Sequence, residues 1–122
     1  TKFVQWATEL ALALRFVHDN GLTHGDVKPK NILLDNKDVL KLADFGLSSM
    51  AVLKGSTINS GRGTTRYMAP EQHKGKELDM DGLKKCDVWS YGIVLWEMIT
   101  CQGPFSDVEE LRIPLVIAAK TE

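Results

Sequence analysis

The eight residues His24-Gly25-Asp26-Val27-Lys28-Pro29-Lys30-Asn31 place an acid, a cation and an amide in one turn, which runs directly into the apolar Ile32-Leu33-Leu34. Charged and amide side chains pinned beside a buried strand suit the handling of a charged, metal-bound ligand. A second acidic turn, Asp44-Phe45-Gly46, follows another apolar run, Val39-Leu40-Lys41-Leu42-Ala43. The polar Asp35-Asn36-Lys37-Asp38 between the two runs makes them a small hairpin. Two strands alone are marginal in water, so helices must stand behind them. The pattern is therefore a mainly α-helical fold carrying two acidic turns on one hairpin, an outline suited to phosphate and metal.

The helices are legible on either side. Phe3, Trp6, Ala7, Leu10, Ala11, Leu14, Val17 and His18 follow the three-and-four spacing of one buried face, which predicts an amphipathic helix over 3–18. Asn20-Gly21 closes it, glycine supplying the left-handed stop. The most hydrophobic stretch runs from Asp87 to Thr100 and is apolar on most sides, as a central buried helix would be. Gly103-Pro104-Phe105 ends it. Residues 107–120 suggest a further helix that Pro114 must break or start afresh. Residues 73–85 are polar and read as a connecting loop with a helical turn. From Leu47 to Arg66 the chain is rich in Ser, Thr and Gly without periodicity, a long loop of the kind that is usually functional.

Bulk properties exclude several classes of function. A net charge of −1 gives no basic field for nucleic acid. Cys86 and Cys101 have neither paired spacing nor a nearby His, so they read as reduced thiols rather than a disulfide or a zinc site. The apolar run 88–100 contains Glu97 and is shorter than the about 20 residues that span a bilayer, so no direct membrane insertion is expected. No secretory leader opens the chain. The expected location is cytoplasmic, or the intracellular part of a larger protein.

Three motifs in order carry a resemblance. His24-Gly25-Asp26 with Lys28 and Asn31, then Asp44-Phe45-Gly46, then Ala69-Pro70-Glu71 are similar to the catalytic loop, the metal-binding turn and the Ala-Pro-Glu segment of protein kinases. The resemblance covers nearly the whole chain and implies a partial kinase domain over 1–122. That domain is a C-terminal lobe running from the helix before the catalytic loop, with the N-terminal lobe absent. It implies ATP and Mg²⁺ as cofactors and a protein substrate. Asp26 would orient or accept the substrate hydroxyl proton, Lys28 would approach the γ-phosphate, and Asn31 and Asp44 would hold the metal. Leu33 would lie beneath the adenine ring. His24 would pack under Phe45 of the Asp44-Phe45-Gly46 turn and be held through its backbone by Asp87. Glu71 would be structural. Gly63-Thr64-x-x-Tyr67 resembles the segment that receives the substrate main chain, with Thr64 bonding toward Asp26 and Lys28. Thr64 and Lys28 resemble the serine/threonine branch. Asp87-Val88-Trp89-Ser90-Tyr91-Gly92 with Leu95-Trp96-Glu97 looks like its tyrosine-kinase-like group.

Two other readings share features. A pseudokinase or truncated kinase acting as a binding module would keep the fold without turnover. Aminoglycoside and choline phosphotransferases share the His-Gly-Asp loop with an Asn five residues on, but lack the Ala-Pro-Glu and Gly-Thr-x-x-Tyr segments found here. The Gly-rich loop, the strand lysine and its glutamate partner are absent from these residues. The fragment alone is therefore expected to bind ATP weakly and to turn nothing over. No late arginine stands ready to pair Glu71, and Arg112 comes too early in the family's order.

Gly25 replaces the family's usual arginine, which pairs with a phosphate on the loop before Ala-Pro-Glu. Alanine at each loop Ser or Thr other than Thr64 should therefore leave the activity of the complete protein within about a few-fold, since no charge-assisted contact is lost. A phosphorylation assay showing a hundredfold loss at one such site contradicts this.

Overall fold

The computed structural model describes residues 2–44, 65–75, 77–109 and 112–121. These are mainly helical, with one two-stranded antiparallel sheet. Helix α1 (Lys2–Asp19) buries Leu10, Leu14 and Val17, the residues whose spacing defines its inner face. Ala11, expected on that face, is exposed. Gly21 at φ +76 stops the helix. The Gly21 and Leu22 N–H groups return to the His18 and Val17 carbonyls, at 3.0 and 3.1 Å, satisfying the last turn.

Strands β1 (Ile32–Leu34) and β2 (Leu40–Leu42) pair with Ile32 opposite Leu42 and Leu34 opposite Leu40. Asp35 turns the chain between them, one carboxylate oxygen accepting from the N–H groups of Lys37 (2.8 Å) and Val39 (2.9 Å). Those two bonds hold its carboxyl below the usual range. The hairpin is bolted to α1 by polar bonds at its turn. Trp6 Nε1 donates to the Asp38 carbonyl at 2.9 Å, and Glu9 accepts from the Leu40 N–H at 2.9 Å.

After the short helix α2 (Pro70–His73), helix α3 runs over Met80–Thr100. It starts well before Asp87, within residues expected to be a loop. Asp79 caps it, accepting from the Gly82 N–H at 2.8 Å. Leu83, Cys86, Asp87, Ser90 and Val94 then form a buried stripe at helical spacing. Lys84 and Lys85 mask that stripe in the sequence. Nor is α3 buried all round, since Val88, Trp96 and Ile99 are exposed. Cys101 in the left-handed region (φ +58) terminates it. Helix α4 (Ile113–Thr121) is shorter than the 107–120 expected, because Pro114 sits in its first turn, where a missing N–H costs nothing.

The core lies where α1, the hairpin and α3 meet. Leu10, Leu14, Val27, Leu40 and Val94 are buried together, with Trp6, Ile32, Leu42, Tyr91 and Met98 packed against them. Tyr91 also donates to the Ala7 carbonyl at 2.8 Å, tying α3 to α1. Each fully buried aliphatic side chain contributes about 2 kcal/mol. That outweighs the net value, about 1 kcal/mol, of any one ladder hydrogen bond. Packing on the helices therefore holds the hairpin. Among the described residues no helix is long and apolar enough to cross a membrane.

Both cysteines are free. Burial, reinforced by the neighbouring Glu71 carboxylate, pushes the Cys86 thiol up to about 12, whereas Cys101 is exposed. At pH 8 the buried sulfur is thus a thiol rather than the reactive thiolate. Iodoacetamide followed by peptide mapping of the native protein should label Cys101 and spare Cys86 until denaturant is added.

Candidate active site

The catalytic-loop motif leaves α1 through Leu22 and Thr23 and hangs from one residue of α3. Asp87, only 2% exposed, accepts three hydrogen bonds. Its Oδ2 takes the His24 N–H at 2.8 Å and faces His18 Nε2 at 2.8 Å, and its Oδ1 takes the Gly25 N–H at 2.9 Å. A buried carboxylate is tolerable only when its lone pairs are satisfied. The two amides can reach it because Gly25 adopts φ +86, a backbone conformation that glycine enters without strain.

His24 is fully buried and joins the two acidic turns. Its Nδ1 accepts the Asp26 N–H at 3.0 Å, so the ring proton sits on Nε2, which donates to the Ala43 carbonyl at 2.8 Å. Ala43 in turn donates its N–H to the Asn31 carbonyl at 2.8 Å. These bonds bring the backbone entering Asp44 against the loop that carries Asp26. Asp44 is exposed and takes φ +59, a left-handed conformation that Asp tolerates better than most residues.

Within the loop, Asn31 is buried and donates from Nδ2 to the Asp26 carbonyl (2.7 Å) and to Asp26 Oδ2 (3.2 Å). Lys28 Nζ lies 3.5 Å from the same Oδ2. One oxygen of Asp26 is thus fixed by an amide and an ammonium. Among the described residues no donor is placed on Oδ1. Pro29–Asn31 form a 3₁₀ turn that delivers Asn31 to this position and passes into β1. Leu33 on β1 is exposed.

Magnesium prefers hard oxygen donors and keeps several waters. With both bonds of its NH₂ group committed to Asp26, Asn31 retains its amide oxygen as a neutral donor. Asp44 adds a carboxylate. The donor set fits that ion, with no nitrogen or sulfur ligand among the two.

Of the other anticipated positions, Phe45, Gly46 and Thr64 lie outside the described residues. Glu71 is partly buried on α2 and accepts a long bond from Cys86 Sγ, 3.7 Å to Oε2. Among the described residues it makes no ion pair. The sequence did not single out His18 as a partner of Asp87. It also missed the 3₁₀ turn Thr65–Tyr67. There Tyr67 donates to Glu97 Oε1 at 2.6 Å and its carbonyl accepts from Ser90 Oγ. Burial and that carboxylate raise the Tyr67 phenol well above its ordinary value. Helical spacing aligns Ser90, Val94 and Glu97 on one side of α3, but nothing in the sequence reveals what they face.

The profile of the protein kinase domain matches residues 1–120. The chain belongs to the protein kinase family. It is 39% identical over 111 residues to the mitogen-activated protein kinase kinase kinase dlk-1 of Caenorhabditis elegans, covering 91% of this chain and 12% of that protein. It is 36% identical over 110 residues to mitogen-activated protein kinase kinase kinase 13 of the mouse, covering 90% of this chain and 11% of the relative. Protein kinase C-like 1 of Saccharomyces cerevisiae is 39% identical over 105 residues, covering 86% and 9% respectively. The chain thus spans about a tenth of the length of these curated relatives.

Replacing Asp87 by alanine leaves the buried His24 N–H and the part-buried Gly25 N–H without their acceptor. Asp87→Ala should cost about 3 kcal/mol or more in stability, and Asp87→Asn less, because one oxygen acceptor survives. Urea unfolding of the complete protein, read against wild type, measures both.

Proposed function

We propose that these residues form the phosphoryl-transferring side of a serine/threonine protein kinase. The complete protein would move the γ-phosphoryl group of magnesium-bound ATP to Ser or Thr hydroxyls of protein substrates. The observation that carries this reading is the Asp26 carboxylate, with Oδ2 held by Asn31 and Lys28 in a loop that Asp87 makes rigid.

Bound Mg-ATP supplies the electrophilic phosphorus and the leaving ADP. Asp26 orients the substrate hydroxyl and takes up its proton as the new O–P bond forms and the bond to the β-phosphate oxygen breaks. Lys28 keeps a positive charge beside Asp26 on the side where negative charge develops. Asn31 and Asp44 would hold the metal, on backbones joined by the bond from the Ala43 N–H to the Asn31 carbonyl. Leu33 offers an apolar surface on the hairpin for the adenine ring. The substrate main chain lies against the segment that ends in Thr65–Tyr67. Two free thiols, one of them exposed, fit a reducing cytoplasm.

The decisive assay uses the complete protein. Asp26→Asn should lower kcat at least about a hundredfold, the scale of a lost general base, with little change in ATP affinity. Asp44→Asn should abolish the Mg²⁺ dependence of ATP binding. Transfer surviving Asp26→Asn within about threefold would refute the assignment. A wild-type protein that binds ATP yet phosphorylates nothing would establish a binding module instead.

A further inference from the structure

Arg66 makes a connection that the reaction as described does not use. Its Nη1 donates to the carbonyls of Pro104 (3.2 Å) and Phe105, and its Nη2 donates to that of Val108 at 3.2 Å. Among the described residues it forms no ion pair. Its charge is met by three converging carbonyl dipoles instead. The turn that supplies them is held in an uncommon state. Phe105 sits at φ +55, in the left-handed region that a bulky side chain rarely enters. Within the turn the Val108 N–H donates to the Phe105 carbonyl at 3.0 Å. Three carbonyl oxygens facing one point repel one another unless a multivalent donor stands between them. Only a guanidinium offers several N–H groups in a fixed fork.

The same 3₁₀ turn is anchored on its other side. Tyr67, the next residue, is fixed to α3 through Glu97 and Ser90. Thr65–Tyr67 is therefore gripped between α3 and the turn that follows it.

We propose that Arg66 is a positioning residue for protein-substrate binding. It clamps the strained 103–108 turn against Thr65–Tyr67 and so fixes the backbone on which the substrate chain lies. This rests on the reading of that segment as the substrate platform. Its guanidinium is bonded to the Pro104, Phe105 and Val108 carbonyls rather than to Asp26, Lys28 or Asn31, so its effect belongs to substrate affinity.

The test uses the complete protein, Mg-ATP and one Ser/Thr peptide chosen from a degenerate library as the best wild-type substrate. Arg66→Lys keeps the charge but loses the fork. It should raise the peptide KM about tenfold and leave the ATP KM within about twofold, as expected when charge-assisted bonds remote from the nucleotide are lost. Adding Phe105→Gly, which takes φ +55 without strain, should restore much of the peptide KM by removing the need for the clamp. A peptide KM unchanged in Arg66→Lys would overturn the proposal. So would parallel losses of ATP and peptide affinity with a lowered Tm and no recovery on Phe105→Gly, which is the behaviour of a plain structural strut. A wild-type protein silent on every peptide while binding Mg-ATP would instead bring down the phosphoryl-transfer reading, and this assignment with it.

Discussion

Asp87 carries a carboxylate at 2% exposure, and an unpaired charge at that depth would cost several kcal/mol. The chain resolves this by aiming two successive amides, those of His24 and Gly25, and the ring of His18 at its two oxygens. The consequence runs in both directions. The loop supplies the donors that make Asp87 tolerable on α3, and Asp87 removes the freedom that a loop of this composition would otherwise keep. A helix, the end of another helix and the candidate catalytic loop are thereby fixed at one point.

From that point rigidity is passed on by short backbone-directed bonds rather than by ion pairs. His24 relays it to the Asp26 amide and the Ala43 carbonyl. Asn31 relays it to the Asp26 side chain and, through its carbonyl, to Ala43. The Lys28 to Asp26 contact at 3.5 Å is the exception. The backbone departures at Gly25 and Asp44 fall on the two residues that flank this relay.

The region beyond β2 is tied down differently. Tyr67, Ser90 and Glu97 fasten the Thr65–Tyr67 turn to the middle and end of α3, while Arg66 fastens it to the 103–108 turn. α3 therefore serves two assemblies at once, Asp87 near its start holding one and Glu97 near its end holding the other. Its exposed Val88, Trp96 and Ile99 show that packing within these residues uses only part of its apolar surface.

Local rules determined much of this. The buried stripe of α1, its glycine stop, the hairpin with its Asp35 turn and the ordered acid-amide motifs were legible, because each depends on neighbours within a few residues. The start of α3 was also written locally, in the Asp79 cap and the Leu83–Cys86–Ser90 spacing, but two lysines on its outer face disguised it as a loop. Long-range pairings were not legible. That His18 meets Asp87, that Arg66 reaches carbonyls near residue 105, and that Tyr67 finds Glu97 depend on how helices cross. A crossing is fixed by packing among residues far apart in the chain, and such packing leaves no periodic trace in the sequence.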